Sequence, residues 1–194
     1  MTTARLTRSE RTAVTRRELL AAAERRFFED GYHGTSLDEI ADEAGYTKGA
    51  VYSTFGSKAA LFLAFFDEFN ERRLNETRAL MSGHETDEDA LAALARQPAD
   101  EANARFLLLA IEFWVHAARE PELLRAFAAR HRHVRESFAR WAPRTTVLGP
   151  ERWAIATMAL SNGLALERLI DPAGVPDDVM AAVQAQITGL GSAS

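Results

Sequence analysis

Apolar positions recur along this chain at the three- and four-residue spacing of helices, and the elements they mark are all α-helical. Leu20, Ala23 and Phe27 share one face behind Thr15-Arg16-Arg17-Glu18, whose first and last residues read as a capping box, and Gly31 stops that helix. Leu37, Ile40, Ala41 and Ala44 follow at i, i+3, i+4 and i+7, leaving Asp38, Glu39, Asp42 and Glu43 to solvent. Ser36 and Glu39 make a second capping box, and Gly45 supplies the left-handed end. Two residues later Thr47 caps a third helix, which buries Val51 and Phe55 and turns Lys48, Gly49, Ala50, Tyr52 and Ser53 the other way. A long helix then runs from Ser57 through Met81. Its early phenylalanines, Phe62, Phe65 and Phe66, are expected on the first three helices, while Phe69, Asn70 and Arg73 reach into the next domain.

The third helix is too short and too polar to stand alone. Its outward mixture of a cation, hydroxyls and small residues suits base edges in a major groove about 12 Å wide, and Gly49 and Ala50 let the backbone come close. Small helical hairpins also occur in many all-α folds, where Lys48 is one surface lysine and Tyr52 is half-buried packing. Lys58 separates the two readings. It follows the cap Ser57 directly, where a cation opposes the helix dipole. A phosphate oxygen held by Lys58 and the helix N-terminal amides accounts for that placement.

The block F-x3-G followed by T-S-x3-I-A-x2-A-G-Y-T-K-G-A-V-Y-S-T-F-x-S-K-x2-L, from Phe27 to Leu61, resembles the DNA-binding domain of TetR-family transcriptional regulators. The resemblance implies that Thr47 to Phe55 is the recognition helix. It implies further that Thr35, Ser36, Tyr52 and Lys58 hold phosphates while Thr47, Lys48, Gly49, Ala50 and Ser53 face bases. Ser53, where family members often carry histidine, and Thr54, where an aromatic is usual, depart from the pattern and bear on sequence preference.

Ahead of the first helix, residues 1–14 carry Arg5, Arg8 and Arg11 against Glu10 without apolar periodicity. They read as a flexible arm, either lying in a minor groove or solvated, and Arg16 and Arg17 could add phosphate contacts. The formal charge is −5, yet residues 1–17 hold five arginines and one glutamate, so positive charge gathers where DNA is expected. The absence of cysteine removes disulfides and thiolate metal sites. No apolar run is long enough to cross a bilayer and no signal-peptide core is evident, so a cytoplasmic location without membrane partners is expected.

The second half is less explicit. Ser82 to Glu101 reads as loop with one short helix, Asp87 to Ala95. Phe106 to Val115 is apolar on every face except Glu112 and is expected to be surrounded by helices. Glu112 itself suits an arginine partner, solvent or a cationic ligand. After Pro121 a further helix carries Leu123, Leu124, Phe127, Val134, Phe138 and Trp141 until Pro143. Phe69, Phe113, Trp114, Phe127 and Trp141 are the natural lining of an effector cavity, although aromatics at helical spacing are also ordinary core. Trp153 to Leu166 is apolar on nearly every side, and a last helix opens at Asp177 and Asp178 and runs to Gly189. Two such helices from each of two chains make a four-helix interface. Histidine spacing gives no metal site, and no catalytic motif or cofactor loop occurs, so an enzyme is not expected.

The expected architecture is all-α. A flexible arm (1–14) precedes a three-helix helix-turn-helix DNA-binding domain (15–60) and a helical bundle (61–190) for ligand binding and dimerisation. The function implied is that of a homodimeric regulator, a repressor, on a near-palindromic operator, released by a small, largely apolar effector. Two other classes stay open: a helical small-molecule-binding protein whose head serves protein interaction, and a nonspecific architectural DNA binder.

Overall fold

The structure, a computed structural model, describes residues 7–95, 101–144 and 146–188. Its elements are α1 (Arg8–Gly34), α2 (Leu37–Ala44), α3 (Lys48–Phe55), α4 (Lys58–Ser82), α5 (Asp87–Ala95), α6 (Glu101–Ala117), α7 (Pro121–Ala139), α8 (Pro150–Ile170) and α9 (Val179–Thr188). The described residues contain no strand. They form two compact units, one of Met1–Glu68 with Leu109–Leu123, the other of Phe69–Leu108 with Leu124–Ser194. Residues 58–68 of α4 and 109–117 of α6 fall in the unit of the helix-turn-helix, where their aromatic side chains complete its core.

In the first unit Leu19, Leu20, Ala22, Ala23 and Phe27 of α1 are buried. Phe27 meets Phe62 at 5.3 Å and Phe65 at 5.7 Å between ring centroids, so these two early phenylalanines of α4 do pack on the three-helix head. Residues 8–14, expected in a flexible arm, are helical. Thr7 accepts the Glu10 amide while Glu10 accepts the Thr7 amide, a capping box that starts α1 at Arg8. Thr15 to Glu18 therefore lies inside a helix already running, and Met1 to Leu6 fall outside the described residues. Gly31, at φ 74°, interrupts α1 as expected, and one further turn, Tyr32 to Gly34, follows it. Ser36 and Glu39 cap α2 reciprocally at 3.2 and 2.8 Å. Gly45, at φ 71°, ends α2 with its amide on Asp42 and the Tyr46 amide on Ala41, a Schellman arrangement. The Tyr46 hydroxyl then donates to Glu18, which ties this turn back to α1.

The second unit is held by paired aromatics: Phe69 stacks on Phe106 at 3.8 Å, and Phe138 on Trp153 at 5.3 Å. Helix α5 spans the expected residues, and α8 begins at Pro150, one residue after Gly149. The expectation that Phe106 to Val115 is enclosed on all sides is not met. Phe106, Leu109, Phe113 and Ala117 form the buried stripe of α6, while Leu108, Trp114 and Val115 are about half exposed. Helical geometry places those three off that stripe. On α8, Trp153, Ala154 and Thr157 are buried, whereas Ile155, Leu169 and Ile170 are exposed. Gly189 and the tail from Gly191 lie outside the described residues.

Candidate nucleic-acid interface

A groove of about 450 Å³ opens in the first unit between the α1–α2 connection, α3 and the start of α4. Ser36, Asp38, Lys48, Tyr52, Ser57 and Lys58 line it, together with His33, Thr35 and Leu37. Local signals build each wall. Thr47 accepts the Ala50 amide at 3.3 Å and so fixes where α3 begins. Val51 is fully buried and anchors the helix from below, which leaves Lys48, Gly49, Tyr52 and Ser53 exposed. An added Cβ at Gly49 would meet nothing closer than the Thr47 hydroxyl at 3.8 Å, so that surface is open to close approach. Ser57 caps α4 by accepting the Ala60 amide at 3.1 Å.

The structure brings Ser36, Lys48, Tyr52 and Lys58 together on this groove, and Gly49, Ala50 and Ser53 lie on the same short helix as two of them. Ser53 and Thr54 both turn their hydroxyls back onto the Ala50 carbonyl, at 3.0 and 2.7 Å. Ser53 stays exposed in doing so. Arg16 places its guanidinium 4.7 Å from the centroid of the Phe55 ring, carrying a cation from α1 to the edge of α3.

Thr35 turns inward. Its side chain is buried, with the hydroxyl 3.0 Å from the Arg26 carbonyl and 2.8 Å from that of Gly31. Both carbonyls lie within reach of the hydroxyl where α1 breaks, and stranding a buried hydroxyl costs about 1–3 kcal/mol, so this side chain stays inward. Thr35 borders the groove and gives it a carbonyl.

That carbonyl belongs to the Lys58 site. The Lys58 ammonium donates to the Thr35 carbonyl at 2.6 Å and the His33 carbonyl at 3.4 Å, and sits 4.6 Å from the centroid of the Tyr32 ring. These contacts hold a cation at a helix N-terminus where the dipole disfavours it. Burial pushes the Lys58 amine below its ordinary range, while the charges of Glu112 and Glu39 pull the other way. An arriving phosphate would add to that second effect and strengthen the ammonium form. Burial pushes the Tyr32 phenol up to about 12, with the charges of Glu120 and Glu112 adding, so the ring stays neutral beneath the cation. Lys48 is held differently, by Asp38 at 2.8 Å with both groups more than half exposed. An ion pair so open to water contributes little, so a base edge or phosphate can displace Asp38.

Sequence reasoning leaves Glu112 without a decided partner. Its carboxylate accepts two consecutive main-chain amides, from Tyr32 at 2.9 Å and His33 at 2.8 Å. The signal is a single acid in an otherwise apolar run; its partners, 80 and 79 residues earlier, are not readable from spacing.

Residues 19–65 match the family model for bacterial regulatory proteins of the tetR family, and residues 77–193, more than half the chain, match the Tetracyclin repressor-like C-terminal domain. The chain belongs to the TetR family. Among its relatives, the HTH-type transcriptional regulator TtgR of Pseudomonas putida is 40% identical over 78 residues, 40% of this chain and 37% of TtgR. The HTH-type transcriptional activator FasR of Mycolicibacterium smegmatis is 48% identical over 60 residues, 31% of this chain and 26% of FasR. Both matches span well under two thirds of the relative's own length. Likeness over nearly the whole chain comes from the crystal structure of NalD, the secondary repressor of the MexAB-OprM multidrug efflux pump in Pseudomonas aeruginosa. Its TM-score is 0.59 at 26% identity, covering 93% of this chain and 97% of NalD.

Within this TetR-family fold the five expected effector-lining aromatics do not gather in one unit. Phe113 and Trp114 fall in the first, where Phe113 is fully buried between Phe62 at 4.2 Å and Tyr32 at 5.0 Å and Trp114 is exposed. Phe69, Phe127 and Trp141 fall in the second. Among the described residues no group of three or more His, Asp or Glu side chains is placed to hold a metal ion, and no single helix is long and apolar enough to cross a membrane.

Proposed function

We propose that this chain is a cytoplasmic, ligand-responsive transcriptional regulator that binds a near-palindromic DNA operator as a homodimer and is released from it by a small molecule. The observation that carries the reading is the groove beside α3, where two lysines, two serine hydroxyls and a tyrosine converge next to an open, small-residue helix face. Ser36, Tyr52 and Lys58 hold backbone phosphates, while Thr47, Lys48, Gly49, Ala50 and Ser53 meet base edges.

Dimerisation through α8 and α9 is supported by apolar exposure on both, with Ile170 at 81% and Val183 at 36% relative to a free residue. Two heads held by such an interface would meet two half-sites about 34 Å apart. Effector binding is assigned to the second unit, with Phe69, Phe127 and Trp141 retained as lining. The buried indole N–H of Trp153, which meets no acceptor among the described residues, would hydrogen-bond an effector oxygen. Release is then a population shift, no larger than the effector's preference for the state whose recognition helices miss successive major grooves. Repression is the favoured sense, after NalD; FasR, an activator, marks the other sense that the same head can serve.

The test is a gel shift of the purified protein on a randomised duplex pool at near-physiological salt, with sequencing of the retained DNA and sizing of the complex. Enrichment of a short inverted repeat bound by a dimer is the expected result. Salt-dependent retention without enrichment would replace this reading by the architectural one, and no retention by folded protein would leave a ligand-binding role.

A further inference from the structure

The Glu112 contact joins α6 to the turn that carries the DNA-facing groove. Its two carboxylate oxygens take the Tyr32 and His33 amides at 2.9 and 2.8 Å, the pair of donors exposed where Gly31 interrupts α1. Gly31 is required twice over, because its φ of 74° disfavours a side chain and an added Cβ would lie 2.8 Å from the Glu112 Oε2. The neighbours on α6 pin the carboxylate in place: Phe113 stacks on Phe62, and the His116 ring lies 5.5 Å from that of His33. Across the same short turn, the Lys58 ammonium rests on residues 32–35, through the carbonyls of His33 and Thr35 and the ring of Tyr32. Glu112 thus orders one side of the turn and Lys58 reads the other.

We infer that Glu112 is a positioning residue for DNA binding: by holding the Tyr32 and His33 amides it fixes the turn that aims the Lys58 ammonium into the phosphate groove. This rests on the operator-binding reading above. It assigns to α6, whose first residues belong to the other unit, a direct hold on the phosphate contact of the head. Rotating Glu112 away loses both bonds together, since one carboxylate makes both.

Glutamine is the informative replacement, because it keeps the size but has one acceptor oxygen, and its NH2 faces the second donor. The full-length protein, its Glu112→Gln and Lys58→Ala variants and the double variant are titrated against a fluorescent operator duplex taken from the selected pool, at several salt concentrations. Amide hydrogen exchange at Tyr32 and His33 is followed in parallel. The expected result is roughly tenfold weaker binding for Glu112→Gln with the salt slope lowered by about one, as for Lys58→Ala. In the Lys58→Ala background the second change costs no more than about twofold, the mark of a residue acting through that lysine. Glu112→Asp, which keeps the charge, recovers part of the loss. Wild-type affinity for Glu112→Gln, or losses that multiply in the double variant, would overturn the inference while leaving operator binding intact. If Glu112→Gln does not fold, unprotected Tyr32 and His33 amides in the folded wild type would overturn it equally. A wild type that selects no operator removes the reading beneath it, and is told apart by the unmodified protein alone.

Discussion

Helices α3 and α8 both leave much of their surface uncovered, and they leave opposite kinds of surface. The exposed side of α3 offers Lys48, Gly49, Tyr52 and Ser53, whereas α8 offers Ile155, Leu169 and Ile170. Exposure of polar and small groups next to cations is inexpensive in water and ready for a polyanion with shaped edges. Exposure of branched aliphatics is unfavourable in water and is relieved only when another apolar surface covers it. The degree of exposure therefore says little about partners; its chemistry says a great deal. The two helices are also anchored differently. Thr47 caps α3 through its side chain, while Gly149 before α8 makes no side-chain cap and a proline begins that helix.

The contrast breaks most visibly if α8 is made to resemble α3. Ile155→Glu combined with Ile170→Glu is expected to give a folded monomer by light scattering, with operator affinity lowered by about 100-fold or more through loss of the second half-site. A dimer that persists with unchanged affinity would show that this face is not the one covered. Beside α3, at the start of α4, Lys58→Ala is expected to weaken binding to every sequence by roughly tenfold and to lower the salt slope by about one. Lys48→Ala is expected to change base preference as well, seen as a flattened position in the sequence profile of selected duplexes. Equal losses on all operators for both lysine variants would count against base reading by Lys48.

The smallest effect concerns the caps on which the short head helices depend. The Glu39 carboxyl is held below its usual range by the Ser36 hydroxyl and then the Ser36 amide, with burial opposing and the charges of Arg26 and Lys58 assisting. A depressed folded value means that this contribution is fully present above the unfolded value and is lost as pH falls through the folded one. The melting temperature of wild type should exceed that of Glu39→Gln at neutral pH, and the gap should close on acidification. A constant gap would mean that Glu39 acts without its charge.

The positions legible in the sequence are those governed by neighbours. The Ser36 and Glu39 cap, the Gly45 stop, the Thr47 start, the Ser57 cap and the α5 span each depend on residues within one or two turns, so spacing carries them. One departure is of the same local kind: Thr7 and Glu10 form a capping box just like the one expected at Thr15, and it starts α1 at Arg8. The remaining departures are long-range. Thr35 faces inward because the break of α1 leaves carbonyls within its reach, and nothing in T-S-L-D-E states that.

By itself, then, the sequence determined an all-α chain with a capped helix-turn-helix, an exposed small-residue face on its short third helix and the family to which it belongs, because each follows from local periodicity, capping chemistry or a motif of high specificity. Only the tertiary structure decided which apolar residues of α6 are core, what Lys58 rests on and what Glu112 holds. Those depend on donors, acceptors and rings brought together from positions dozens of residues apart, and a one-dimensional spacing has no term for such meetings.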